Sequence, residues 1–231
     1  MDVPHTDFWQ HFVAAAPEPR EWSDAYAAPM PNGSRLLLPL RDLGESAVAG
    51  LIVNQASFAV VDRLTGWMAE RAARHDADAV LGLPTLGHIV AAGVARALAH
   101  PNWVAAGFSQ KLWYDEALSV PVASVTSPTA GRRMWLDPRM LPRLRGRRVL
   151  VADDVMCTGR SMRAGLALLR AADIMPVAVA VAMIQGNRWQ AEWPSDLPIT
   201  GAFASPLFRR GETGWIAQPG TAPHALCEHP Q

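Results

Sequence analysis

The sequence predicts an α/β protein in which helices cover a mostly parallel sheet. Short apolar runs alternate with helical patterns from residue 79 to residue 184, and the runs at 79–83 and 149–152 contain no charged residue. Strands that alternate with helices form right-handed βαβ units, and a strand covered on both faces reads as a continuous apolar run. We therefore expect a ligand site at the carboxyl ends of these strands.

The predicted elements follow one another in a regular order. A strand is predicted at 36–40, and the apolar residues of 57–74 recur at helical spacing. The alternation continues with strands at 79–83, 103–108, 149–152 and 177–184 and with helices at 87–99 and 160–172. We assign residues 35–205 to one domain, preceded by an N-terminal arm (1–34) and followed by a C-terminal tail (206–231). The aromatic residues and prolines of the arm favour a short helix followed by irregular chain.

The composition favours a globular protein without a dominant surface charge. Of the 231 residues 50% are hydrophobic, and 21 Lys and Arg balance 21 Asp and Glu. A balanced charge favours neither nucleic acid nor a membrane surface, so we expect neither as a partner. The two cysteines, Cys157 and Cys227, lie far apart, which indicates a reducing compartment such as the cytoplasm. We also expect neither a secretory signal nor a membrane-spanning run.

The most informative stretch is 149–161, which reads Val-Leu-Val-Ala-Asp-Asp-Val-Met-Cys-Thr-Gly-Arg-Ser. Asp153 and Asp154 follow an apolar strand, and a Thr-Gly-Arg-Ser segment precedes a helical pattern. Backbone N–H groups at a helix N-terminus bind phosphate, and carboxylates accept hydrogen bonds from hydroxyls. The pattern therefore predicts a site for a ribose phosphate. The alternative is an ordinary capped helix after a buried strand, since Asp, Thr and Ser also begin helices.

This stretch closely resembles the 5-phosphoribosyl-1-pyrophosphate (PRPP) signature of type I phosphoribosyltransferases. In that signature an apolar strand is followed by two acids, an apolar pair and a Thr-Gly-x-Ser/Thr loop. The stretch departs from it at Ala152, where a larger apolar residue is usual, and at Cys157, where Thr, Ser or Ala is usual. The resemblance implies the type I phosphoribosyltransferase fold: a parallel-sheet core flanked by helices, with a flexible lid and a small hood built from both ends of the chain.

The resemblance assigns roles to the residues of this stretch. Asp153 and Asp154 would hold the ribose as catalytic residues. The loop after them would bind the 5′-phosphate of PRPP through Cys157, Thr158, Gly159, Arg160 and Ser161. Mg²⁺ would be the cofactor and would reach the site with PRPP, so no residue is assigned as its direct ligand.

Two further segments match places where this family binds pyrophosphate. The first ends the first core strand and consists of Pro84, Thr85, Leu86 and Gly87. A simple strand-to-helix turn is the alternative there, since Pro and Gly also serve it. Lys111 follows the second core strand, where the family often has two cations. Ser109 and Gln110 precede it, so one cation remains, and Lys111 is the third catalytic residue we assign, with a solvated loop lysine as the alternative.

A long connection separates the second core strand from the PRPP strand. Connections of this length are usually lids or disordered segments, and phosphoribosyltransferases carry here a flexible loop that closes over the site. We expect the lid at about residues 113–133, with a strand within 118–126. Seven arginines lie between residues 132 and 148. Because the whole chain is neutral, a solvated loop or an attraction for pyrophosphate explains them better than nucleic-acid binding.

In purine phosphoribosyltransferases the base pocket follows the last long strand. Trp189 can stack on a base and Gln185 can hydrogen-bond to its edge, although Trp189 can also cap the core. The likeness is greatest to the xanthine enzyme, whose Asn-containing segment before the first long helix matches 51–55 and makes Asn54 a third candidate. Its acid-lysine pair is Gln185-Gly186 here, and the Gly-Arg-Phe loop of the adenine enzyme is absent.

The resemblance implies an enzyme of purine salvage. It would transfer the phosphoribosyl group of PRPP to a nitrogenous base, which we expect to be a purine, and release pyrophosphate. We expect a homodimer in the cytoplasm. Two alternatives stay open: an orotate-type enzyme, which needs a cationic pocket for a carboxylate, and a PRPP-sensing regulator. The regulator needs a separate DNA-binding domain, for which residues 1–34 are short and proline-rich.

Overall fold

Residues 4–122 and 132–223 are described by the computed structural model, and within them the chain forms three α-helices and thirteen strands in two sheets. The helices are α1 (Phe58–Ala72), α2 (Gly87–Ala97) and α3 (Arg160–Ala171). The strands are β1 (Phe12–Val13), β2 (Ala25–Pro29), β3 (Arg35–Asp42), β4 (Ser46–Ala49), β5 (Ala79–Gly82), β6 (Val104–Gly107), β7 (Ser119–Pro121), β8 (Arg133–Leu136), β9 (Val149–Met156), β10 (Pro176–Gln185), β11 (Ile199–Ser205), β12 (Leu207–Arg210) and β13 (Trp215–Gln218).

The larger sheet forms the core of the molecule. Its strand order is β11-β10-β9-β5-β6-β8-β7; the five strands from β11 to β6 are parallel, and β8 and β7 continue the sheet as an antiparallel edge. After β5 the chain moves outward to β6, then returns to place β9 on the other side of β5. This reversal is a topological switch point, and ligands bind at such points outside the carboxyl ends of the strands.

Alternate residues of the central strands face two separate apolar layers. Leu150 and Ala152 of β9 pack with α1 and α2 on one face of the sheet, whereas Val149 and Val151 pack with α3 on the other. Successive side chains of a strand point to opposite faces, which is why an uninterrupted apolar run can serve both layers. Ser57 caps α1, since its side chain accepts a hydrogen bond from the Val60 N–H at 3.3 Å.

The smaller sheet, which we call the hood, joins the two ends of the described chain. Its strand order is β1-β3-β4-β12-β13, and β2 pairs with β3. Trp22 and Trp215 exchange two backbone hydrogen bonds of 2.8 and 2.7 Å, which tie the arm to the last strand. The hood meets the core where the Gln185 side chain, at the carboxyl end of β10, donates to the Ala49 carbonyl at the end of β4.

The predicted fold class is confirmed, with several local differences. The described part of the arm contains β1 and β2 and no α-helix. Residues 207–218, expected to belong to a tail, form β12 and β13 of the hood. The strand expected within 118–126 is β7, and residues 123–126 lie outside the described part of the chain. Across the described residues, no helix combines the length and the apolar character needed to cross a membrane.

Candidate functional site

The carboxyl ends of β5 and β9 bring two of the predicted segments together. Gly82 is paired with Ala152, and the Leu83 N–H donates to the Ala152 carbonyl at 3.0 Å. The chain then enters the loop 84–87, in which the Pro84–Thr85 peptide bond is cis. A Cβ on Gly87 would lie 2.6 Å from Oδ1 of Asp153. Only glycine therefore lets this loop approach the acidic residue so closely.

Asp153 and Asp154 lie inside β9, which continues to Met156 instead of ending before them. Asp153 is buried, and its Oδ1 accepts a hydrogen bond from the Asp154 N–H at 2.9 Å. Burial and then the neighbouring charge of Asp154 raise the pKa of Asp153 well above its ordinary range, and burial also raises the pKa of Asp154. Two desolvated carboxyl groups side by side gain strongly from hydroxyl donors or a cation.

The predicted phosphate loop connects β9 to α3. Residues Val155 to Met162 line a cavity of about 110 Å³. Gly159 stands immediately before α3 with φ +74°, a conformation that favours glycine. Cys157 and Thr158 are half-buried and Arg160 and Ser161 are exposed. Backbone N–H groups at the start of α3 and the positive end of its dipole make this cavity suitable for a phosphate.

Sequence reasoning missed two arginines near this loop. Arg163 donates from Nη1 to the Thr158 carbonyl at 3.1 Å and forms an ion pair with Glu192 at 3.3 Å. Burial raises the pKa of the Cys157 thiol, while the positive charge of Arg188 partly opposes that shift. Arg163 could have been found from its position one helical turn after Gly159. Arg188 follows β10, and its proximity to Cys157 becomes visible only in three dimensions.

Trp189 is not available for the stacking role that the sequence suggested. Its ring has no exposed surface, its Nε1 donates to the Gly186 carbonyl at 3.1 Å, and it packs edge-to-face on Trp193 at 5.5 Å between ring centroids. A Cβ on Gly159 would lie 3.5 Å from the Cβ of Trp189. Trp189 therefore supports the phosphate loop from the core, which agrees with the core-capping alternative.

The other two candidates for the base pocket differ in accessibility. Gln185 is buried, and its side-chain NH₂ group is engaged by the Ala49 carbonyl of the hood. Asn54 is exposed on the turn between β4 and α1.

Lys111, the cation predicted for the pyrophosphate, is exposed in the segment after β6 and forms no ion pair with any described residue. Of these three, Asn54 and Lys111 can meet a ligand without rearrangement.

The predicted lid is described only at its two ends. Residues 123–131 lie outside the described part of the chain. At the base of the segment, β7 and β8 form an antiparallel pair, and Arg133 donates from Nη2 to the hydroxyl and the carbonyl of Ser119 at 2.7 and 3.1 Å. The guanidinium of Arg132 lies over the ring of Phe108, 3.4 Å from its centroid.

These features together have the arrangement that the sequence predicts for a ribose-phosphate site. A carboxylate pair on a central strand stands between a phosphate loop and a second glycine-containing loop on the neighbouring strand. The model of the phosphoribosyl transferase domain family matches residues 51–197, well over half of the chain, and the protein belongs to this family. The matched region contains all the site segments described above.

Known relatives are consistent with this membership. The chain is 32% identical over 128 residues to the adenine phosphoribosyltransferase of Xanthomonas axonopodis pv. citri (strain 306), a match that covers 55% of this chain and 65% of the relative. Among solved structures, the adenine phosphoribosyltransferase of Rhodothermus marinus DSM 4252 superposes with a TM-score of 0.55 at 17% identity, covering 71% of this chain and 93% of that one. The Giardia lamblia enzyme, complexed with 9-deazaadenine, has a TM-score of 0.52 at 17% identity, covering 64% and 80%. These two structures support the fold.

Proposed function

We propose that this protein transfers the 5-phosphoribosyl group of PRPP to a purine base and releases pyrophosphate. The observation that carries the proposal is the close approach of loop 84–87 to Asp153, because the segment that we assign to pyrophosphate then lies beside a residue that we assign to the ribose. The curated relatives, of which the chain spans about two thirds, are named adenine phosphoribosyltransferases, which supports a purine as the acceptor.

The ribose phosphate would bind across β9 and the start of α3. Asp153 and Asp154 would accept hydrogen bonds from the two ribose hydroxyls, and the loop 157–161 would surround the 5′-phosphate. In the transition state positive charge would develop on the ribosyl ring, and the carboxylate pair would stabilise that charge. The raised pKa values indicate that Asp153 and Asp154 bind a proton readily when no substrate is present. Hydrogen-bond donors of the bound substrate would take the place of that proton.

The pyrophosphate would lie against the backbone of loop 84–87, with Lys111 contributing charge from the end of β6. Mg²⁺ would be held mainly by pyrophosphate and ribose oxygens, and when bound it neutralises charge on the leaving group. Within residues 4–122 and 132–223, no group of three or more His, Cys, Asp or Glu side chains is arranged to hold a metal ion. Of the residues assigned to this site, Asp153 and Asp154 carry the carboxylates that would be available to contact Mg²⁺.

The base would bind where the hood meets the core. Asn54 is exposed on the turn that leaves the hood, and an amide offers both a donor and an acceptor to a purine edge. Gln185 lies at the same junction but is buried and bonded to the hood, so we assign it to holding the hood in place. Trp189 is not included in the pocket because its ring is buried.

Release of pyrophosphate from PRPP tests the proposal directly. Purified protein with Mg²⁺ is assayed against adenine, guanine, hypoxanthine, xanthine, orotate and uracil, and the nucleotide product is identified by mass. Turnover of a purine supports the proposal, whereas turnover of orotate alone would show that the acceptor is orotate and not a purine. Tight PRPP binding with no turnover of any base favours a PRPP-sensing regulator instead.

We also propose that the protein acts in the cytoplasm as a homodimer. The fully exposed Leu112 and the half-exposed Trp113 follow β6 next to the site, and adjacent exposed apolar side chains favour contact with another protein surface. Light scattering on the purified protein should give twice the chain mass of 25.0 kDa, and the monomer mass would contradict the proposal.

A further inference from the structure

The end of β6 carries less positive charge than the proposed reaction requires. Phe108, Ser109 and Gln110 follow the strand, and Lys111 is the first cation after it. Pyrophosphate leaves with several negative charges, and phosphate groups are bound most strongly by charge-assisted hydrogen bonds. A second cation from another element would complete this part of the site.

Arg132 occupies a suitable position. Phe108 is the residue immediately after β6, and the Arg132 guanidinium stacks on its ring, 3.4 Å from the centroid. β8 runs antiparallel to β6 with Gly107 opposite Trp135, so the chain before β8 lies at the edge where β5 and β6 end. The Arg132 carbonyl accepts a hydrogen bond from Val122 at 2.8 Å, which holds its backbone in place. Neighbouring strands are about 5 Å apart and only β6 separates β8 from β5, so this position lies about 10 Å from the end of β5, where loop 84–87 begins.

The edge of the stacked guanidinium carries N–H groups that can bind an anion. A cation over an aromatic face uses the flat face of the guanidinium and leaves the N–H groups at its edge directed outward. Arg132 is exposed, and none of the ion pairs formed within the described parts of the chain includes it. Neighbouring arginines are engaged elsewhere: Arg133 binds Ser119, and Arg139 lies over Trp113 at 4.5 Å.

We propose that Arg132, held on Phe108, binds the pyrophosphate group of PRPP and takes the place of the second cation missing after β6. This inference rests on the proposed function and names a residue that determines affinity for the leaving group. It predicts that Arg132 contributes to binding of PRPP and of free pyrophosphate and contributes little to binding of the base.

The test compares Arg132→Ala with Arg139→Ala, a matched control that removes a stacked arginine from a different aromatic ring. Binding of magnesium pyrophosphate is measured by calorimetry, and the KM values of PRPP and of the base are measured by pyrophosphate release. Loss of a charged hydrogen-bond donor should weaken pyrophosphate binding by roughly 10- to 100-fold. The KM of PRPP should rise in parallel, with the KM of the base within about twofold of the unmutated protein.

Two further variants separate binding from folding. Phe108→Leu keeps the apolar contact but removes the aromatic platform, and it should give a smaller loss than Arg132→Ala. Arg132→Lys keeps the charge and should recover part of the affinity, which a merely structural role would not require. Equal pyrophosphate affinity in Arg132→Ala and Arg139→Ala would overturn the inference while leaving the transferase proposal intact. Conversely, calorimetry still tests the inference if the unmutated protein turns over no base.

Discussion

At the scale of single residues, the site is built from groups that do not favour the folded state by themselves. Asp153 is a buried carboxyl group beside a second one, and Gly87 and Gly159 are glycines required by close contact or by backbone conformation. Residue type identified all three from the sequence, because phosphate loops need glycine and ribose hydroxyls need carboxylates. The burial of Trp189 was not predictable in the same way, since it depends on packing against Trp193 and the phosphate loop.

Asp153→Asn should stabilise the free protein while weakening PRPP binding. A carboxyl group whose pKa is raised by folding binds its proton more tightly in the folded state, so the free energy of unfolding falls as pH rises from the ordinary value of 3.8 through the raised one. The variant lacks this loss, and its advantage in urea unfolding should be larger at about pH 8 than at about pH 5. Its PRPP affinity should fall roughly 10- to 100-fold. Asp62→Asn, at an exposed position of α1, is the control; an advantage independent of pH would contradict the argument.

Gly87→Ala should damage the site more than the fold. The new Cβ would lie 2.6 Å from Oδ1 of Asp153, so either loop 84–87 or the carboxylate must move. Because displacements near 1 Å reduce catalysis by up to about 100-fold, we expect kcat/KM for PRPP to fall on that order. Gly66→Ala is the matched control: nothing lies within 4 Å of the added methyl, and it should stabilise α1 by about 1 kcal/mol without changing turnover. Unchanged kcat/KM in Gly87→Ala would count against the pyrophosphate role of the loop.

At the scale of elements, the sequence predicted the parallel core better than the hood. A strand buried on both faces is apolar throughout, so β5, β9 and β10 are visible from local composition alone. In the hood, the sequence predicted only β3, from the apolar run 36–40. The other hood strands have two to five residues, and pairing of distant strands, such as β4 with β12, leaves no local pattern. The extension of β9 through Asp153 and Asp154 was missed for a related reason, since charged residues at a strand end read as a loop until neighbouring strands pair with them.

The contact between α3 and the phosphate loop leads to a prediction for Arg163. Arg163→Ala removes the hydrogen bond to the Thr158 carbonyl, so the loop should become less ordered before PRPP binds. We expect the KM of PRPP to rise about tenfold, as for loss of one charge-assisted hydrogen bond, with kcat nearly unchanged because Arg163 acts only through the loop. Glu192→Gln breaks the ion pair of Arg163 alone, and exposed ion pairs contribute about 0–1 kcal/mol, so its effect should be small. Steady-state kinetics on both variants checks this, and equal effects would show that the ion pair, not the loop contact, matters.

At the scale of the whole molecule, polar contacts hold the core together and join it to the hood. Arg71 of α1 donates to the carbonyls of Gly201 and Ala202 in β11, the outermost strand of the core sheet. Gln185 joins β10 to β4. The Arg71 contact ties α1 to the core sheet, whereas the Gln185 contact connects the core to the antiparallel hood. Loss of the Gln185 contact should therefore change the position of the hood relative to the site.

Gln185 provides the sharpest test of this coupling, because the sequence indicated a base-binding role and the structure shows a contact with the hood. Gln185→Leu removes the donor to the Ala49 carbonyl and leaves that carbonyl unpaired at a buried position. The free energy of unfolding measured in urea should fall by about 1–3 kcal/mol, the usual range for a buried polar group left without its partner.

Gln185→Glu keeps the shape of the side chain but lacks the N–H donor, so this variant should be destabilised as well. The destabilisation should grow as pH rises, because the carboxyl group then ionises beside a carbonyl. The KM of PRPP, whose proposed ligands lie on β5 and β9, should stay within about twofold in Gln185→Leu. A large rise in the KM of the base with unchanged stability would instead return Gln185 to the base pocket.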